Sequence, residues 1–505
     1  MKRISNIITI DEIKTWKNTD LITITAGTGS GKSYFIKNIL YAFAEKRNKK
    51  ILMLIHRTNC VNQFQQEIEQ DNKTDIIDIK TYQALESIVY NQKTNFDFSK
   101  YEYIVCDEFH YFLNDAIFNK TTDISLDLVL SQINTIRIFM SATGNCIKQY
   151  LNDIKELVTI DYELPVEYSF IDELTFFNKY ESMEEIIRQA IEKSEKSIFF
   201  IQSAKRAYDL YEKYEEHCLF NCSKGNKKFY KYVDQAKIDS MLANEKFKEL
   251  ILVTTSCLDS GVNINDTDVK HILCDIKDIS SLLQCIGRRR VQNKGDKFNL
   301  YIKTIHNQQL AGIKTQLEKK IKMAEYLKEH TVQEYIQEYS RKNDYSNIVY
   351  DDTVGEKNKG TKRINELMYF KYKLDIDDIA IMQEYGEFGY CKYLKNLFKY
   401  NRKYRLMEED YGQNKLEKYL ESIVGRKLYK DDQKELINKI GLKDSRGRLQ
   451  KGIRQFNAYF EENEIPFIIK SERKSIRVSG KIKKDSFWMI YKLTSIVDEN
   501  LDKAI

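Results

Sequence analysis

The stretch Thr25–Ser33, TAGTGSGKS, constrains the fold of this chain more than any other. A glycine-rich turn ending in Lys32 and Ser33 directs backbone amides at a phosphate, with the lysine reaching the outer phosphates and the serine hydroxyl held for Mg2+. LITIT (21–25) just before it is a β-type run, and KSYFIKNILYAFAEK (32–46) after it sets Phe35, Ile36, Ile39, Leu40 and Phe43 at helical spacing. The loop therefore sits between strand and helix, where the helix N-terminus adds its own partial positive charge. Gly27, Thr28, Gly29, Ser30, Gly31, Lys32 and Ser33 are the candidate nucleotide-binding residues, and ATP with Mg2+ is the expected ligand pair. Ala26 stands where the strict pattern has glycine.

The rest of the chain extends this α/β pattern. Apolar β-type runs alternate with helical segments up to about residue 160: LITIT, ILMLI (51–55), DIIDI (75–79), YIVCD (103–107) and IRIFMS (136–141). After a polar stretch containing Pro165 the alternation restarts with SIFFIQS (197–203), HCLFNCS (217–223), LILVTTS (250–256), VKHILCD (269–275) and FNLYIK (298–303). Two tandem α/β domains with parallel sheets are predicted, at 1–163 and 164–308. Beyond 308 the strands are expected to stop. A charged helical region follows over 309–424, in which VGEKNKGTKR (354–363) reads as a solvated linker and the tyrosines of 364–424 as packed side chains.

Composition narrows the class further. The chain has 505 residues, enough for three or four domains, and a net charge of +6. Its nine cysteines are an odd number without a repeated spacing, and no apolar segment follows MKRISN, so a cytoplasmic protein with free thiols is expected. No apolar run approaches the ~18 residues that would span a membrane. His217, Cys218 and Cys222 lack a second ligand pair at zinc-finger spacing and read as part of a buried strand.

The strand YIVC ends in DEFH, Asp107–His110. A carboxylate at the end of a buried strand beside a phosphate loop can hold Mg2+, and a second can orient and deprotonate a water. Asp107, with Ser33, is the candidate metal residue and Glu108 the candidate base. Ser141 and Thr143, in SAT, close the next strand at the same edge. In the second half, Gln284, Arg288 and Arg290 of QCIGRRR are expected just after a helix start, where fixed guanidinium charges can reach a γ-phosphate across a cleft.

Taken in order, these motifs resemble those of superfamily 2 helicases and translocases of the DExH type over roughly residues 20–305. AGTGSGKS resembles motif I, IHRTNC motif Ia, TYQAL motif Ib, DEFH motif II, SAT motif III, FFIQSAK (199–205) motif IV, TSCLDSGVN (255–263) motif V and QCIGRRR motif VI. The resemblance implies two RecA-like domains and ATP-driven movement on nucleic acid, with Lys32, Asp107, Glu108, Gln284, Arg288 and Arg290 in catalysis and Ser141 and Thr143 in coupling. It further implies that Arg57, Thr81, Ser203, Lys205 and Thr255 face the nucleic-acid backbone and that Gly261 and Asn263 approach the nucleotide. The Gln-x-x-Gly-Arg-x-Arg spacing is similar to that of innate-immune RNA-sensing and herpesvirus origin-binding helicases. No upstream glutamine motif of the DEAD-box kind is present.

The last part of the chain, 425–505, differs in character. KDDQKELINKIGL (430–442), the turn DSRG and RLQKGIRQFNAYFEEN (448–463) read as two helices, and IPFIIKS with KSIRVSG as a hairpin around SERK. Helix, turn, helix and basic hairpin outline a winged-helix-like domain, with Arg448, Lys451, Arg454, Arg473 and Lys474 as candidate contacts to duplex DNA. Between 441 and 490 there are twelve Lys and Arg against six Asp and Glu, a local excess equal to the net charge of the whole chain. Single-stranded and duplex DNA are the expected partners, in replication of a phage, plasmid or mobile element. The alternatives are RNA, or a nucleic-acid-sensing ATPase that gates a defence partner.

Overall fold

The computed structural model describes residues 3–56, 58–91, 96–117, 119, 121–256, 262–293, 295–339, 348–352, 361–444, 447–462, 465–478 and 481–492. They form two compact units, Met1–Tyr404 and Arg405–Ile505.

The first unit opens with strands β1 (Leu21–Ala26), β2 (Lys50–Ile55), β3 (Ile77–Thr81), β4 (Tyr101–Asp107), β5 (Ile136–Ser141) and β6 (Ile160–Leu164). They make a six-stranded sheet in the order β3-β2-β4-β5-β1-β6, parallel at every pairing. Its central strands are apolar along their length because helices cover both faces of a parallel sheet. Ile22, Ile24, Ile51, Met53, Val105, Ile138 and Met140 are buried in one core. Strand β6 lies in the stretch read from sequence as polar, with only Tyr162 buried. As an edge strand with one neighbour, it needs no continuous apolar run.

A second sheet follows, built from β7 (Ile171–Phe177), β8 (Lys196–Ile201), β9 (Cys218–Asn221), β10 (Ile251–Thr254), β11 (Val269–Asp275) and β12 (Phe298–Lys303). Its order is β7-β12-β11-β8-β10-β9, again parallel. This is the tandem RecA-like arrangement expected. Strand β7 was not anticipated, since Asp172 and Glu173 in IDELTFF mask the apolar half that buries Phe176 and Phe177. All four residues of β9 are buried, so HCLFNCS does not alternate.

After β12 come the helices Asn307–Glu329, Val332–Glu338, Glu366–Glu384 and Gly389–Leu397. Contrary to the expectation that strands stop at 308, β13 (Val349–Asp352) and β14 (Thr361–Ile364) form an antiparallel pair there, too short and too charged to stand out in sequence. The helix Glu366–Glu384 touches both α/β domains. Asn365 at its N-cap donates Nδ2 to the Ala116 carbonyl (3.0 Å), and Phe370 meets Tyr150 at 5.3 Å between ring centroids. On the other side, buried Lys371 lies 3.5 Å from Asp278 and 2.5 Å from Asp375. Burial alone would drive the Lys371 ammonium down, but the two carboxylates outweigh it and keep the charge.

The second unit holds the helices Met407–Ser422, Lys430–Ile440 and Ile453–Glu462 and an antiparallel pair, Phe467–Val478 with Lys481–Lys492. Leu420, Leu436, Phe456, Phe460, Ile469 and Ile490 form its core. Two expectations are corrected. SERK is the middle of a long strand rather than a turn, with Arg473 opposite Ser486 and Lys474 opposite Asp485; without Gly, Pro or Asn, nothing in it breaks an exposed strand. The helix expected from 448 starts at Ile453, so Arg448 and Lys451 precede it. No described helix is long and apolar enough to cross a membrane.

Candidate nucleotide-hydrolysis site

The phosphate loop leaves β1 and turns into a helix at Lys32. Gly29 (φ +78°) and Gly31 (φ +87°) occupy the left-handed region that a side chain would strain. Lys32 is buried, and its Nζ donates to the carbonyls of Ala26 (2.7 Å) and Gly27 (3.4 Å). The departure at Ala26 thus has a simple account: the position contributes a carbonyl and needs no positive φ. Burial lowers the Lys32 pKa, against the opposing charges of Glu108 and Asp107. Ser30 Oγ is buried without a hydrogen-bond partner, whereas Ser33 in the first helical turn is exposed.

Asp107 ends β4 and Glu108 follows at φ +49°, a conformation that a carboxylate side chain seldom adopts. The turn is fixed from two sides. Phe109 N donates to the Met140 carbonyl (3.1 Å), and Tyr82 OH donates to the Asp107 carbonyl (2.8 Å). Burial, then the neighbouring Glu108, push the Asp107 carboxyl up to about 7. Burial also pushes Glu108 up, but the hydrogen bond to His110 and the charge of Lys32 outweigh it and hold Glu108 below the usual carboxylate range.

His110 gathers these groups. Its Nδ1 lies 2.8 Å from Ser141 Oγ and 3.3 Å from Glu108 Oε2, and Thr143 N donates to Ser141 Oγ (3.1 Å). On its far side, Gln284 Nε2 approaches His110 Nε2 at 2.6 Å. With the amide as donor, the proton of a neutral imidazole sits on Nδ1, directed at Ser141 and Glu108.

Gln284 belongs to the helix Ile279–Arg288, capped at its start by Asp278, whose Oδ1 accepts from Ser281 N (2.8 Å). The expectation that the motif VI residues lie just after a helix start is corrected: Gln284 is mid-helix, Arg288 is the last helical residue and Arg290 lies beyond. Arg289 is extended (φ −75°, ψ 112°). Successive side chains of extended backbone point to opposite sides, so Arg288 and Arg290 share one side and Arg289 takes the other. Arg289 is buried on Asp296 and on the carbonyls of Thr267 (3.4 Å) and Val269 (3.5 Å). Arg288 is buried too, yet only Nη1 is bonded, to the Val262 carbonyl (3.4 Å), while Nε and Nη2 have no partner. Arg290 donates Nε to Asn263 Oδ1 (2.8 Å), and Asn263 is oriented in turn by Glu245 (3.3 Å). Burial, then the charge of Arg288, push Arg290 down to about 10.

The two domains close on each other at the loop itself. Thr28 Oγ1 donates to the Gly287 carbonyl (3.1 Å), and a β-carbon at Gly287 would stand 2.5 Å from that hydroxyl. A side chain there would turn the Thr28 hydroxyl away and break the contact. Ser30 Oγ, Thr143 Oγ1 and Arg288 Nε and Nη2 are buried donors without partners among the described residues, and the charges of Lys32 and Arg288 both act on Glu108. Buried cationic and hydroxyl donors of this kind fit the phosphates of a nucleoside triphosphate.

The other expected residues lie at strand exits. Thr81 Oγ1 accepts from Ala84 N (3.0 Å) at the end of β3. Ser203 caps the helix Ala204–Lys213 after β8, accepting from Arg206 N (3.4 Å), with Lys205 exposed beside it. Thr255 follows β10, its N donating to the Asn221 carbonyl (3.2 Å). These are carboxyl ends of parallel strands, where ligands bind in such sheets. Arg57 and Gly261 lie outside the described residues. Arg448, Lys451 and Arg454 are exposed in the second unit, Arg448 paired with Asp444 (3.0 Å). His110 and Tyr82 were missed from sequence, although each adjoins a motif residue, in DEFH and TYQAL.

Residues 2–145 match the family described as type III restriction enzyme, res subunit. That match spans the phosphate loop, DEFH and SAT. No curated protein matches the chain. Similar solved structures include the DEAD-box helicase Mss116 bound to single-stranded RNA and UDP-BeF, at 16% identity over 62% of this chain and 71% of that chain, TM-score 0.44. Another is S. cerevisiae Dbp5 bound to RNA and ADP BeF3, at 16% identity over 59% of this chain and 83% of that chain, TM-score 0.42. A third is the ATP-dependent type ISP restriction-modification enzyme LlaBIII bound to DNA, at 12% identity over 56% of this chain and 26% of that chain, TM-score 0.38.

Proposed function

We propose that this protein hydrolyses ATP between its two α/β domains and couples hydrolysis to movement along nucleic acid, as a DExH-type helicase or translocase of superfamily 2. The observation that carries the reading is that the second domain delivers Gln284 to His110 and a buried, partly unpartnered Arg288 to the cluster of Lys32 and Glu108. Neither domain holds a complete site alone. In this reading Lys32 and the loop amides would hold the phosphates, Asp107 with Ser33 would hold the cation that offsets their charge, and Glu108 would take the proton of the attacking water. Arg288 and Arg290 stabilise charge developing on the transferred phosphoryl group, an effect worth about 10³–10⁵ in rate in other nucleotide hydrolases.

DNA is the proposed substrate, supported by the basic excess of 441–490 and by the helix, helix and two-stranded pair of the second unit, which we interpret as a winged-helix-like duplex binder. Replication of a phage, plasmid or mobile element is the proposed setting. The test is ATPase activity measured with single-stranded DNA, duplex DNA and RNA. Strongest stimulation by DNA is expected; stimulation by RNA alone overturns the substrate, and no stimulation by any of them overturns the coupling.

A further inference from the structure

Three neighbouring strands of the second sheet release the chain side by side at its carboxyl edge. Strand β8 leads to Ser203, β10 to Thr255 and β9 to the segment 222–233. The last two exits are tied by Thr255 N donating to the Asn221 carbonyl (3.2 Å), and adjacent strands lie about 4.8 Å apart. Under the function proposed above, on which this inference rests, the first two exits meet a nucleic-acid backbone.

The third exit reads CSKGNKKFYKYV, with four lysines and no carboxylate. Lys224, Lys227, Lys228 and Lys231 are exposed, and none has a carboxylate partner among the described residues. Some other lysines of the same domain do find carboxylates, as Lys213 does with Glu184 (2.6 Å), Lys237 with Glu249 (2.8 Å) and Lys196 with Asp266 (2.7 Å). Four ammonium groups without a carboxylate on so short a stretch repel one another, and an external polyanion would relieve that repulsion. Beside them Tyr232, 41% exposed, is held by Tyr208 at 4.3 Å between centroids, and Phe229 packs on the same Tyr208 at 5.5 Å. Tyr232 is held by Tyr208 and carries the Lys231 ammonium 4.7 Å from its ring centroid, so ring and cation stand together at the surface, the combination that sequence-tolerant single-strand sites use.

We propose that 222–233 is a further binding site for single-stranded nucleic acid, extending the backbone track of Ser203 and Thr255 past the edge strand, with the lysines on phosphates and Tyr232 beneath a base. The chemistry recognised is the phosphodiester strand itself, so DNA and RNA should both be held. The full-length protein is titrated by fluorescence anisotropy with oligothymidylate and oligouridylate at several salt concentrations. Combined Lys227→Gln, Lys228→Gln and Lys231→Gln should flatten the slope of log K against log salt by about two units, at about 0.7 for each phosphate contact on a single strand. Tyr232→Ala should weaken binding about fivefold or more, and Tyr232→Phe should not. Unchanged thermal unfolding midpoints confirm that the surface variants fold. If wild type binds and the triple variant keeps its affinity and slope, the lysines are a solvated face and this site is overturned while the underlying function stands. If wild type binds neither strand, the function proposed above falls with it.

Discussion

Gln284 Nε2 and His110 Nε2 stand 2.6 Å apart, an amide from the second α/β domain on an imidazole from the first. The contact fixes which nitrogen of His110 keeps its proton, and through Ser141 Oγ (2.8 Å) it reaches the turn that positions Glu108. Gln284→Ala should therefore lower nucleic-acid-stimulated turnover by about 10- to 100-fold, the range in which outer-shell partners of reactive groups act, with little change in the KM for ATP. Steady-state ATPase kinetics check this, and a variant that loses ATP affinity with turnover intact contradicts it.

Lys32 and Glu108 should separate binding from chemistry. Lys32→Ala removes the ammonium meant for the phosphates and should weaken ATP binding, read by a fluorescent nucleotide titration. Glu108→Gln should bind ATP yet turn over more slowly by about 10²–10⁴, the contribution of a positioned general base. Removal of divalent cation with a chelator should abolish turnover in the wild type. Wild-type rates from Glu108→Gln would show that another group takes the proton.

The three consecutive arginines of QCIGRRR should divide into two phenotypes. Arg288→Ala or Arg290→Ala should depress stimulated hydrolysis by about 10³ or more and leave the unfolding midpoint near that of wild type. Asp296→Ala strands the buried Arg289 guanidinium and should destabilise the fold by about 3–5 kcal/mol, read by denaturant unfolding. An Asp296→Ala protein of wild-type stability would show that Arg289 is not held where the structure puts it.

For the second unit, replacing Arg448, Lys451 and Arg454 together by Gln should flatten the salt dependence of duplex binding by about two to three units, at about 0.9 for each phosphate contact on B-form DNA. Base-edge contacts would instead cost about 1–3 kcal/mol each in a sequence-dependent way. Unchanged affinity and slope would make this unit a packing or partner-binding module.

Much of the candidate site was legible because its groups are contiguous in the chain: TAGTGSGKS and DEFH each place their polar side chains within one turn of the backbone, so local spacing already brings them together. The harder features depend on partners far away in sequence. Nothing in QCIGRRR says that Arg289 faces Asp296 while its neighbours face the cleft; that follows from the backbone becoming extended after Arg288. Strands β6 and β7 escaped for a different reason: an exposed face of β6 carries Asp161 and Glu163, and the half-buried Asp172 and Glu173 interrupt the apolar run at the start of β7. SERK, expected as the centre of a hairpin between IPFIIKS and KSIRVSG, continues the strand because an exposed strand tolerates charge.

The helix Glu366–Glu384 ties the two α/β domains together. Its N-cap Asn365 is fastened to Ala116, close after DEFH, and its Lys371 to Asp278, the residue that caps the helix bearing Gln284 and Arg288. Two bodies bolted to a common strut cannot part as a free hinge. One fastening has to yield, and releasing Asp278 leaves a buried ammonium with a single carboxylate, at a cost of a few kcal/mol. If hydrolysis opens the cleft, as the proposed function requires, the balance between its open and closed states is set partly by residues that never meet nucleotide, and substitutions along the strut would retune how much binding energy remains for motion while the chemical groups stay as they are.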